Sequence, residues 1–106
     1  PKASLPLVKL GIAYQELKRW DEAEAAYRAA IKNDVQAVHA YNNLAWLLAE
    51  RKIKLDEALK LAQNATLLTP KDPNVFDTLA AVHRARGDAN EERKAQAQAK
   101  QLGKRG

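Results

Sequence analysis

Two histidines, one serine and two short runs of carboxylates are the side chains with which this chain could do chemistry, and their spacing assembles no reactive constellation. His39 and His83 lie far apart and the chain has no cysteine, which removes zinc-thiolate sites, thiol nucleophiles and disulfides. Ser4, the sole serine, lacks the glycine-flanked turn that exposes a catalytic hydroxyl. The four glycines are scattered and make no phosphate-binding loop. Asp21, Glu22 and Glu24, and Glu91 with Glu92, stand where helices should begin, where carboxylates complement the helix dipole and need no metal. Asn64-Ala65-Thr66 has the form of a glycosylation acceptor but falls in mid-helix. The chain is expected to be non-catalytic, without metal or cofactor.

What the sequence does carry is a phrase stated three times: Leu7-x-x-Leu10-Gly11-x-x-Tyr14, Tyr41-x-x-Leu44-Ala45-x-x-Leu48 and Phe76-x-x-Leu79-Ala80-x-x-His83. Leu10, Leu44 and Leu79 are separated by 34 and 35 residues. A period of that size marks a solenoid, in which each unit buries its apolar face against its neighbours. Residues i, i+3, i+4 and i+7 share a helix face, so Leu7, Leu10, Gly11 and Tyr14 should form one core stripe. Gly11, Ala45 and Ala80 are small enough to let a paired helix approach closely. His83, standing where Tyr14 and Leu48 stand, is expected to pack and not to react.

Composition agrees with an all-α chain. Among 106 residues 46% are hydrophobic, much of it alanine, and only 6% aromatic. An array of this size should bury about 60% of its unfolded surface, near the lower end for its length. No run approaches the ~18 apolar residues of a membrane span. The net charge of +5 gathers at the carboxyl end, in Arg93, Lys94, Lys100, Lys104 and Arg105. No aromatic beyond Phe76 accompanies those cations to stack on bases, so nucleic acid is not the expected partner. The chain opens on Pro1, not Met, and reads as a single domain cut from a longer protein.

Punctuation divides it into six helices. Ser4 and Pro6 open the first, which runs to about Leu17. Asp21 with Glu24 forms a capping-box-like start for the second, which fades near Asn33-Asp34. The third covers about Gln36 to Arg51. Asp56 is expected to cap the fourth after a loop one residue longer than its counterpart in the first repeat. Asp72-Pro73 opens the fifth, which runs to Ala85 with Gly87 ending it, and Asp88 with Glu91 opens the sixth, fading at Leu102-Gly103. Connections this short require antiparallel pairs. The expected fold is therefore an α-solenoid of three helix pairs, with repeats at about 4–37, 38–72 and 73–102 and a basic tail at 103–106.

This pattern resembles the tetratricopeptide repeat family over about residues 4–102. The first repeat matches well (Leu7, Leu10, Gly11, Tyr14, Trp20, Ala23, Tyr27, Ala30), the second retains Leu44, Ala45, Ala58, Ala65 and Pro70, and the third is degenerate, with Glu92 and Gln96 at small and aromatic positions. The resemblance implies a right-handed superhelix whose concave groove is lined by the first helix of each pair. It points to Leu5, Val8, Lys9, Ile12, Gln15 and Glu16 in the first helix, and to His39, Asn42, Asn43, Trp46, Ala49 and Glu50 in the third. In the fifth it points to Asn74, Asp77, Thr78, Ala81 and Arg84.

Asn amides offer donors and acceptors to an extended backbone, and Trp46 offers a large flat contact. The expected function is a scaffold that binds a protein or peptide partner in this groove. Members that grip acidic chaperone tails do so with basic clamp residues, and the corresponding positions, Val8, Ile12, Asn43, Asn74 and Thr78, keep only the Asn43 match. Such tails are not expected partners. Two other readings are self-association as a homodimer through Leu5, Val8 and Ile12, and anionic-surface or nucleic-acid contact through the basic carboxyl end.

Overall fold

The computed structural model describes residues 4–105, with side chains described for residues 4–103. Lys2 and the side chains of the expected tail at 104–106 lie outside the described residues. Six helices follow one another: α1 (Ser4–Glu16), α2 (Trp20–Asn33), α3 (Val38–Arg51), α4 (Leu55–Leu68), α5 (Pro73–Arg86) and α6 (Ala89–Arg105). No strand occurs among the described residues.

The first helix of each pair ends in the same way. Lys18, Lys52 and Gly87 adopt left-handed backbone, with φ of 61°, 56° and 82°. The next residue then donates its N–H five positions back, Arg19 to Tyr14 at 2.9 Å, Ile53 to Leu48 at 3.1 Å and Asp88 to His83 at 2.9 Å. This cap satisfies a terminal carbonyl that would otherwise be orphaned. Helix starts are less uniform. Asp72 accepts from the Asn74 N–H at 2.9 Å, with Pro73 in the first turn, and Asp88 accepts from the Glu91 N–H at 3.2 Å.

Asp21 and Asp56, expected as caps, are not caps. Arg19 and Lys54 occupy those positions without a side-chain cap bond. Asp21 instead accepts from Arg51 at 3.3 Å, and Asp56 pairs with Arg86. α3 begins at Val38 and not Gln36, and α6 continues through Gly103.

Each helix packs on its hairpin partner, and α2 and α4 also pack on the helix that follows. The first helices form a continuous inner layer, α1 against α3 and α3 against α5, whereas among the described residues the backbones of α2, α4 and α6 stay apart, α2 and α4 meeting through the Arg28 and Glu57 side chains. Helices that close up on one side and splay on the other give a concave inner face. The accessible surface is 6536 Å², about a tenth above the ~5900 Å² of a compact chain of 11.8 kDa.

The core is thickest around α3, where Ala40, Tyr41, Leu44, Ala45, Leu47, Leu48 and Ala49 are all buried. Gly11 faces Tyr27 so closely that a Cβ there would lie 2.5 Å from Cε1 of the ring. At α6 the buried apolar residues dwindle to Ala95 and Ala99. The stripe expected for α1 needs one correction: Leu10 is 44% exposed although its counterpart Leu44 is fully buried. α3 is enclosed by α2 and α4, whereas α1 packs only on α2 and α3.

Between the first two pairs lies an ion network. Glu24 is buried and accepts from Arg28 at 2.8 and 3.0 Å and from Lys54 Nζ at 2.7 Å. Arg28 also donates to both oxygens of Glu57, at 2.5 and 2.9 Å. Lys54 reaches Glu24 from the last residue of the α3–α4 loop, in left-handed backbone. Burial alone would raise the Glu24 carboxyl, but the bonds from Lys54 and Arg28 outweigh it and hold the group below its ordinary range. The Arg28 guanidinium does the same for Glu57.

Candidate peptide-binding groove

Two adjoining hollows occupy the inner face. The larger, about 780 Å³, lies between α1 and α3, with Ile12, Gln15 and Glu16 on one wall and Asn42, Asn43, Trp46, Leu47, Glu50 and Arg51 on the other. α2 supplies Trp20 and Tyr27, and α5 supplies Thr78. The smaller, about 470 Å³, lies between α3 and α5 and is lined by Val38, His39, Asp72, Asn74, Val75 and Asp77 together with Asn42, Asn43, Trp46 and Thr78. The four shared residues make the two hollows one continuous surface with Trp46 at its middle.

The positions follow from helix phase. In α3 the core takes Tyr41, Leu44, Ala45 and Leu48, which leaves His39, Asn42, Asn43, Trp46 and Glu50 for the inner face. Trp46 is 40% exposed there, beside two fully buried leucines. Tyr27 is buried to its hydroxyl, which donates to Gln15 Oε1 at 2.8 Å. Burial pushes that hydroxyl up to about 12, partly opposed by Asn43, so the floor of the larger hollow is a neutral polar cluster. Asn42 Oδ1 is buried with no hydrogen-bond partner.

Nothing here arranges nucleophile, base and oxyanion donors around one point. No grouping of three or more His, Asp or Glu able to hold a metal occurs among the described residues. The surface offers shape, apolar anchors and hydrogen bonds.

A sequence profile of the tetratricopeptide repeat matches residues 8–75. The chain belongs to the tetratricopeptide repeat family. Repeats of this family mediate protein–protein interaction and are typically non-catalytic.

Solved structures carry the same fold. The type III secretion translocator chaperone SycD of Yersinia enterocolitica, in an alternative dimer, superposes with a TM-score of 0.85 at 15% identity, covering 96% of this chain and 76% of that one. MamA MSR-1 C2 gives 0.81 at 20% identity over 93% of this chain and 56% of its own. BtubC (BKLC) from P. vanneervenii gives 0.80 at 22% identity over 96% and 47%. The tetratricopeptide chain thus spans about half the length of the last two. No curated protein matches it in sequence.

On this tetratricopeptide framework, Ile12, His39, Asn42, Asn43, Trp46, Asn74, Asp77 and Thr78 all line the hollows. Gln15, Glu16 and Glu50 do so too, whereas six expected residues, Leu5, Val8, Lys9, Ala49, Ala81 and Arg84, do not. Val8, only 4% exposed, belongs to the core and offers nothing to the groove. Leu5 is exposed but lines neither hollow, Ala81 is half-buried, and Arg84 turns to Glu92 on α6 at 2.6 Å. Ala49 is buried as well. Trp20, Tyr27 and Arg51 were not expected in the groove. Trp20 is the first residue of α2 and lines the larger hollow from there; its aromatic type at a pair junction was the available signal. The apolar patch expected from Leu5, Val8 and Ile12 is divided three ways: surface, core and groove.

Proposed function

We propose that this tetratricopeptide domain holds a peptide segment of a partner protein along the inner face of α1, α3 and α5. The observation that carries the reading is Trp46, a large exposed side chain shared by both hollows and flanked by Asn42 and Asn43. Aromatic side chains in such positions dominate binding energy, and the amides can pair with an extended backbone. A library of random peptides displayed on phage and selected on the intact chain, with Trp46→Ala as counter-selected control, tests it. Peptides enriched only on the unmodified chain support the groove. An empty selection, or enrichment that ignores Trp46, overturns it.

A second reading, self-association, is favoured by one observation on the opposite side of α1. Pro6, Leu10, Ala13 and Leu17 share a face by spacing and are all exposed, whereas Ala40, Leu44 and Leu47, one repeat later at the positions of the first three, are buried. A second copy could cover that strip, as SycD is found in a dimer. Sedimentation over a concentration series should then show a dimer that Leu10→Glu dissolves. A monomer at every concentration removes this reading and leaves the groove reading untouched.

A further inference from the structure

We infer that the segment held in this groove is basic: a peptide bearing Arg or Lys beside one bulky apolar side chain. The inference rests on the groove reading above and adds the chemistry of its occupant. The chain has net charge +5, yet its inner face has the opposite sign. Glu16 and Glu50 line the larger hollow, and Asp72 and Asp77 the smaller. Arg51 is the one Lys or Arg lining either hollow, and it is engaged with Asp21 at 3.3 Å and Glu24 at 4.0 Å.

The pairing of carboxylates across the fold is selective. Asp21, Glu22, Glu24, Asp56, Glu57, Glu91 and Glu92 all form ion pairs. Asp34, Asp72 and Asp88 accept hydrogen bonds from backbone N–H groups. Glu16, Glu50 and Asp77 have no such partner among the described residues, and all three face the groove. Glu16 and Glu50, 34 residues apart, hold the same place in successive repeats.

Everything else in the surface complements a donor-rich cation. Asn42 and Asn43, both part-exposed in the hollows, carry amide oxygens of the kind that accept from such donors. Trp20 and Trp46 are part-exposed in the larger hollow; an indole attracts a guanidinium or ammonium over its face, and a carboxylate can accept an arginine in bidentate fashion. Ile12 and the tryptophans accommodate the apolar side chain. An acidic segment would meet four carboxylates and no free cation lining the hollows.

The test reads charge from the selection already described. Peptides enriched in a Trp46-dependent manner should carry net positive charge around a bulky apolar residue. A selected peptide, labelled and followed by fluorescence anisotropy, should bind about tenfold more weakly to the triple variant Glu16→Gln, Glu50→Gln, Asp77→Asn, taking three part-exposed pairs together. Its affinity for the unmodified chain should fall as salt rises. The substituted side chains are on the surface, and circular dichroism will show the variant folded.

Neutral or acidic peptides that still require Trp46 would overturn the basic occupant and leave the groove standing. So would a basic peptide bound equally by the triple variant. Enrichment that persists on Trp46→Ala, or none at all, overturns the groove reading and this inference with it.

Discussion

Replacing Gly11 with alanine sets two effects of opposite sign against each other. An exchange of Gly for Ala inside a helix favours the folded state by ~1 kcal/mol through backbone entropy alone. At Gly11, however, the new methyl would stand 2.5, 2.7 and 2.9 Å from Cε1, Cδ1 and Cζ of Tyr27, where carbon atoms need about 3.5 Å or more. The ring cannot swing away, because Tyr27 is fully buried and tethered through its hydroxyl to Gln15 at 2.8 Å. α1 must therefore draw back from α2 by up to an ångström. Overpacking of this kind costs ~1–3 kcal/mol, so the net expectation is a loss of about 1 kcal/mol. In a domain of this size that lowers Tm by roughly 4–8 °C. Thermal and urea unfolding followed by circular dichroism will measure it. Gly11→Ala in a Tyr27→Leu background should recover part of the loss, since the obstructing ring is gone. A Gly11→Ala variant more stable than the original would show that propensity wins and that close approach of α1 to α2 is not needed.

Lys18 and Lys52 adopt the left-handed conformation that glycine supplies at Gly87, and no hydrogen bond to either side chain is seen among the described residues. Each substitution to Gly should stabilise the fold by about 1 kcal/mol, read as a higher urea midpoint; unchanged or lower midpoints would refute the cap geometry. The Glu24 and Glu57 carboxyls are held below their ordinary range in the folded chain. The stability they confer is thus complete above the unfolded value of about 4.5 and declines as pH falls from there through the folded values. Urea midpoints between pH 3 and 7 (roughly the window set by glutamate titration) should fall on the acid side, and Glu24→Gln should flatten that fall; an identical profile would sink the assignment.

The repeat and the helix ends were the parts most open to reading from residues alone. Gly87, Asp88 and the Asp72-Pro73 pair are local signals: each works through the backbone of its own turn, and each is where it should be. Asp21 and Asp56 have the same local form as Asp88 but answer to a distant partner, Arg51 or Arg86, 30 residues on. Helix periodicity placed Leu7, Gly11 and Tyr14 on the packed stripe of α1, yet it could not say which flank of that stripe a neighbouring helix would cover. That ambiguity exchanged Val8 and Leu10 between core and surface. On α3, His39, Asn42, Asn43, Trp46 and Glu50 fall on the one face the core leaves free, whereas Ala49, expected beside them, is buried. Trp20 and Tyr27 come from the second helix of a pair and line the hollow between α1 and α3, a relation between elements that no single-helix pattern contains.

The bonds Asp21–Arg51 and Asp56–Arg86 bear on how such a chain can grow. Residues 38–72 contain Arg51, which reaches back to the unit before, and Asp56, which reaches forward to the unit after. That block is therefore a tile with matching edges: duplicated in tandem, it would supply both halves of the new joint without any further substitution. Lengthening by recombination, in a genome or at the bench, would preserve the electrostatic register of the array from its first copy.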